Sequence, residues 1–153
     1  MTGAELHKLY NARILELSAG LRQTPPLPDP QATVTLDSPL CGSRVRVDLR
    51  VENGRVSAYA HRVHACALGR SAAALLALGV QGRTEPELRR LRDRMEAMLK
   101  AGGPPPDGDW AGLAVLEPAR DHPARHASVM LPFNAVVRAM DIIAGRCPPD
   151  PVP

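Results

Sequence analysis

Two cysteines, Cys41 and Cys66, stand 25 residues apart. Cys41 lies in the turn-like run Asp37-Ser38-Pro39-Leu40-Cys41-Gly42-Ser43, and Cys66 opens a stretch rich in Ala and Leu. Thiolates are nucleophiles and soft metal ligands, so a pair that meets in space points to metal or sulfur chemistry. Cys147 lies beside the proline-rich tail and reads as an exposed bystander. An odd number of cysteines in an expected reducing compartment weakens a disulfide reading and favours free thiols or metal ligands. Bland roles stay open for both members of the pair: Cys66 as a small buried core residue, Cys41 as a structural turn residue.

The elements that must position these thiols can be read from periodicity. Leu6, Leu9, Tyr10, Ile14 and Leu17 recur at helical steps and predict an amphipathic helix over residues 4–19. Thr24-Pro25-Pro26-Leu27-Pro28-Asp29-Pro30 is too proline-rich for either regular structure and reads as an extended linker. Residues 32–36 and 44–51 alternate as strands, with Val45, Val47, Leu49 and Val51 on one face and Arg44, Arg46, Asp48 and Arg50 on the other. Asn53-Gly54 is a strong hairpin signal, because both turn positions need positive φ, and the return strand spans 55–63. His61 on that strand reads as solvated.

A helix is expected from Cys66 to Leu78. Thr84-Glu85-Pro86-Glu87 resembles a capping box opening a second, over 85–100. Its Met95 and Met98 read as core packing. A loop over 101–108, a short helix near 110–117 and a final helix near 124–144 complete the chain, and the tail 148–153 is expected to be disordered. A small antiparallel sheet followed by several helices is an α+β arrangement.

Composition narrows the function classes. The chain has 153 residues and is 44% hydrophobic, which fits one globular unit with a modest core. Tyr10, Tyr59, Trp110 and Phe133 are its only aromatics besides histidine, so the core must be aliphatic. A formal charge of +3 with scattered arginines argues against nucleic acid. No run approaches a membrane span, and the start of the sequence lacks a signal-peptide core, so a cytoplasmic location is the expectation.

Leu9-Tyr10, Ile14-Leu15, Leu27-Pro28-Asp29-Pro30, Ser38-Pro39-Leu40-Cys41-Gly42, Asn53-Gly54, Cys66 before a small-residue helix, and Pro123-Ala124-Arg125 followed by Leu131-Pro132-Phe133 together carry a resemblance. In that order they resemble the IscU/SufU/NifU N-terminal family of iron–sulfur cluster assembly scaffolds. Residues 1–147 are then expected to form one scaffold domain, with 83–109 similar to the insertion of the SufU branch. The resemblance implies a non-enzymatic protein that receives persulfide sulfur from a cysteine desulfurase. It would bind iron, zinc or a cluster and serve apo iron–sulfur proteins.

Residue by residue, Cys41 and Cys66 match the family's first two cysteines, and Cys41 is the expected persulfide acceptor. Ser43 stands where the family has an aspartate, and Ser128 where it has a third cysteine. Zinc sites and iron–sulfur clusters take about four donors, chiefly thiolate, imidazole or carboxylate. A neutral hydroxyl is a poor substitute. His64 and His126 could each supply a nitrogen, each lying two residues before a site position. Such an offset turns a helical side chain by about 200°, so His126 reaches only if the helix begins after it. Arg125 borders the expected site and could attract anionic sulfur species. The alternative to a working scaffold is a degenerate relative that acts as an adaptor or regulator. A hydrolase built on Ser128 and His126 lacks a nucleophile elbow and an acidic partner.

Overall fold

The computed structural model describes residues 10–150. Its sheet has three antiparallel strands in sequential order: β1 (Ala32–Ser38), β2 (Ser43–Glu52) and β3 (Arg55–His64). Ala32 pairs with Leu49 and Ser38 with Ser43 across the first hairpin; Arg44 pairs with His64 across the second. Asn53 and Gly54 both take positive φ, at 53° and 75°, as the Asn-Gly turn requires. The α+β architecture agrees with the expectation from sequence.

The helices are α1 (Ala12–Gly20), α2 (Ala67–Gly79), α3 (Glu85–Lys100) and α4 (Pro123–Ile143), with a 3-10 segment over Gly108–Asp121 before α4. Within the described residues the first helix starts at Ala12, because the Asn11 side chain caps it by accepting from the Ile14 N–H at 3.0 Å. The part of the predicted helix before residue 10 lies outside the described residues. The capping box at α3 is present, with Thr84 and Glu87 bonding reciprocally. Met95 and Met98 are fully buried, as their spacing predicts.

α4 is the central post. Val129, Met130, Phe133, Val136, Val137 and Met140 are all buried on it. It packs against β1, β2, α2 and α3. A helix apolar around most of its circumference belongs inside a core. The Arg89 guanidinium of α3 bonds the Asp141 carboxylate of α4 and fixes their relative position.

Three sequence expectations need correction. The proline-rich segment is not a free linker: the Leu27 N–H donates to Asp48 Oδ2 at 3.0 Å, and Gln23 bonds both backbone groups of Val63. Asp48, expected on the wet face, is therefore buried at 2% exposure, and it also accepts from Thr33 Oγ1 and Arg46 Nε. His61, expected to be solvated, is 4% exposed beneath the same segment, with Nε2 at 2.8 Å from the Arg22 carbonyl oxygen. In the tail, Asp150 is tied to Arg138 at 2.6 Å, and residues 151–153 lie outside the described residues.

Candidate functional site

The first hairpin, the start of α2 and the middle of α4 converge on one small cluster. Ser38 ends β1 and Ser43 begins β2, so the cross-strand pair brackets the turn that carries Cys41. Two features fold that turn back on itself. The Gly42 N–H donates to the Ser38 carbonyl at 2.8 Å, and Gly42 sits at φ +69°, a conformation that disfavours side chains with a Cβ. Beside it, Arg44 pairs with Asp37 across the strands at 2.5 Å.

Cys41 Sγ donates to Ser38 Oγ at 3.1 Å and lies 3.2 Å from Ser43 Oγ. Ser43 Oγ is 3.0 Å from Ser128 Oγ, and Ser128 Oγ is 3.6 Å from Cys66 Sγ. The chain of contacts therefore runs Ser38, Cys41, Ser43, Ser128, Cys66 without a break. Ser38, Ser43 and Ser128 are buried, at 2%, 2% and 0% exposure, whereas both cysteines are only partly buried. The thiols stand at the mouth and the hydroxyls form the floor.

Cys66 is the N-cap residue of α2, but its side chain makes no capping hydrogen bond. Its sulfur contacts Ser128 instead. α2 and α4 meet closely here because Gly69 has no Cβ: one built on Gly69 would lie 2.5 Å from Ser128 Oγ and 2.8 Å from the Ala65 Cβ.

Burial pushes the Cys41 thiol up. Hydrogen bonds from the Ser38 and Ser43 side chains, the Ser43 backbone N–H and the Ser128 side chain outweigh that and lower it from 9.0 to about 7. Once the thiol ionises, each hydroxyl can rotate to donate to the sulfur. About half of a thiol titrating at 7 is thiolate at neutral pH, against about 1% of one titrating at 9.

The histidines stand apart from this chain of contacts. His64 is exposed at the end of β3. His126 is 8% exposed, and its Nε2 lies 2.9 Å from the Ala119 carbonyl and 3.1 Å from that of Arg120. α4 begins at Pro123, before His126, so the helical offset turns its ring to the 3-10 segment. Arg125 is partly buried on the first turn of α4. Among the described residues, no three or more of His, Cys, Asp or Glu are grouped so as to hold a metal ion. The donor set of two thiols and neutral hydroxyls does not fit a four-donor zinc or cluster site.

Sequence reasoning missed Ser38. Its place three residues before Cys41 hints at proximity, but the contact depends on the closure of the turn.

No family model matches the chain, and no curated protein matches it. Among solved structures it is similar to a nitrogen-fixing NifU-like protein (N-terminal) from Brucella abortus. The two share 42% identity over 94% of this chain and 99% of the other, with a TM-score of 0.90. Its fold is also that of a putative iron–sulfur cluster assembly scaffold protein for the SUF system from Fervidobacterium islandicum AW-1. That match has 16% identity, covers 88% of this chain and 98% of the other, and has a TM-score of 0.79.

Proposed function

This chain belongs to the IscU/SufU/NifU N-terminal family, and on that premise we propose that it is a sulfur acceptor of iron–sulfur cluster assembly, with Cys41 as the accepting thiol. The observation that carries this reading is the hydroxyl-lined turn that lowers Cys41 to about 7 while leaving the residue partly exposed. The cluster is the cargo of such machinery rather than a resident cofactor. The hydroxyl-rich donor set favours holding sulfur over holding metal.

The partner is a cysteine desulfurase carrying a persulfide, and the ultimate recipients are apo iron–sulfur proteins. The Cys41 thiolate attacks the outer sulfur of the persulfide. A new S–S bond forms at Cys41 as the desulfurase S–S bond breaks, and the desulfurase cysteine leaves as thiolate. The exchange needs no external oxidant or reductant. Leu40, 89% exposed beside Cys41, offers the partner an apolar contact at the point of transfer. Cys66 is a second acceptor at the same mouth.

The test is anaerobic incubation with a cysteine desulfurase and cysteine, then alkylation and peptide mass spectrometry. One extra sulfur on the Cys41 peptide, absent in Cys41→Ser and present in Cys147→Ser, is the expected result. No sulfur on Cys41 in unmodified, folded protein overturns the proposal and leaves the adaptor reading in its place.

A further inference from the structure

Acceptance explains why Cys41 is reactive; the hydroxyls around it address what happens to the sulfur next. A persulfide is passed on when a nucleophile takes its outer sulfur and the inner sulfur departs. The inner sulfur is Cys41 Sγ itself. The structure places two side-chain hydroxyls directly on that atom, Ser38 Oγ at 3.1 Å and Ser43 Oγ at 3.2 Å. Ser43 is in turn held at 3.0 Å by Ser128, which is wholly buried. Hydroxyls fixed in a buried floor need little reorganisation when charge develops, which is the condition for strong electrostatic stabilisation. A better-stabilised thiolate leaves faster in thiol–disulfide exchange but attacks more weakly once ionised.

We infer that Ser38 and Ser43 are positioning residues that stabilise Cys41 as a leaving thiolate, with Ser128 orienting Ser43, so that the site is built to hand sulfane sulfur on to a nucleophile. This rests on the reading of Cys41 as a sulfur acceptor. The hydroxyls that leave the site short of metal ligands thereby acquire a role in releasing sulfur. The substrate held is one sulfane sulfur, and the recipient is a nucleophile such as a thiolate.

The experiment separates loading from release, and it uses inorganic polysulfide and cyanide in place of protein partners. At about pH 10 the Cys41 thiol is ionised whether it titrates near 7 or near 9. Polysulfide transfers one sulfur to the Cys41 thiolate and departs one sulfur shorter. Cyanide then takes the outer sulfur as thiocyanate and returns Cys41 as thiolate. Both steps are followed by mass spectrometry of the Cys41 peptide in wild type, Ser38→Ala, Ser43→Ala and Ser71→Ala. Ser71 is an equally buried serine, bonded to the Ile14 carbonyl at 2.9 Å and away from the thiols.

The expected result has opposite signs in the two steps. Ser38→Ala and Ser43→Ala load no more slowly than wild type but release sulfur to cyanide at least tenfold more slowly, while Ser71→Ala matches wild type in both. A general structural loss would not divide the steps in this way. Equal release rates in all four proteins, or loading and release slowed together, overturn the inference. Failure of the desulfurase to load a protein that polysulfide loads would overturn the partner reading and leave the leaving-group role standing.

Discussion

At the scale of single residues, the behaviour of Cys41 is set by three hydroxyls, the Ser43 backbone N–H and one glycine conformation. The sign of its pH dependence follows directly. Because the folded thiol is lowered to about 7 from 9.0, reactive thiolate is present above about pH 7 and is lost as pH falls through that value. Alkylation of Cys41 by iodoacetamide should therefore rise with a midpoint near 7, read from the Cys41 peptide. Ser128→Ala removes one of the lowering hydrogen bonds and leaves Ser43 without its buried partner, so its midpoint should move up towards 9.0. An unchanged midpoint would show that Ser128 does not act on the thiol. That Cys41, Ser43, Cys66 and Ser128 converge was legible through the family resemblance. Ser38 was not, because its contribution depends on how tightly the Pro39–Gly42 turn closes, and spacing alone does not specify that.

At the scale of elements, the site depends on how closely two helices approach. Gly69→Ala sets two effects against each other. Alanine gains about 1 kcal/mol in helix propensity over glycine. The new Cβ, however, would stand 2.5 Å from Ser128 Oγ, and overpacking of this kind costs about 1–3 kcal/mol. Ser128 is on the inner face of a central helix and cannot swing to solvent, so a net loss of stability in urea unfolding is expected. A gain would mean that α2 and α4 can part without cost. Sequence periodicity located β2, β3, α3 and α4 well, since each carries a strong pattern or a capping signature. For residues 24–30 the extended, irregular path was read correctly but its docking was not, because prolines indicate only the path. Asp48 shows why: its alternation with Val47 and Leu49 predicts an exposed carboxylate, and only the covering segment turns it into a buried acceptor for the Leu27 N–H.

At the scale of the whole molecule, α4 joins sheet and helices into one core, and Phe133 is the largest of its fully buried side chains. Phe133→Ala should cost about 3–5 kcal/mol, measured by urea unfolding. A loss below about 1 kcal/mol would mean that this side chain is not packed as described. Few aromatics compete to fill the interior, so the aliphatic core expected from composition is what the buried residues show. The α+β class was legible because the three strand signals are contiguous and, after the first helix, all further helix signals follow them. The floor of the site was legible only through the family resemblance, because local patterns treat separately residues such as Ser43 and Ser128, 85 positions apart.

That separation also has a consequence in time. Synthesis runs from the amino end, so Cys41 and Cys66 are both made well before Ser128, which follows Cys66 by 62 residues. Until α4 has been made and has docked, a growing chain presents two thiols with no Ser128 hydroxyl beneath them and no α4 against α2. The nascent hairpin already carries Ser38 and Ser43 beside Cys41, and only the completed fold adds the buried Ser128 that holds Ser43 and contacts Cys66. The order of translation thus ties completion of the floor to the arrival of the helix that completes the core.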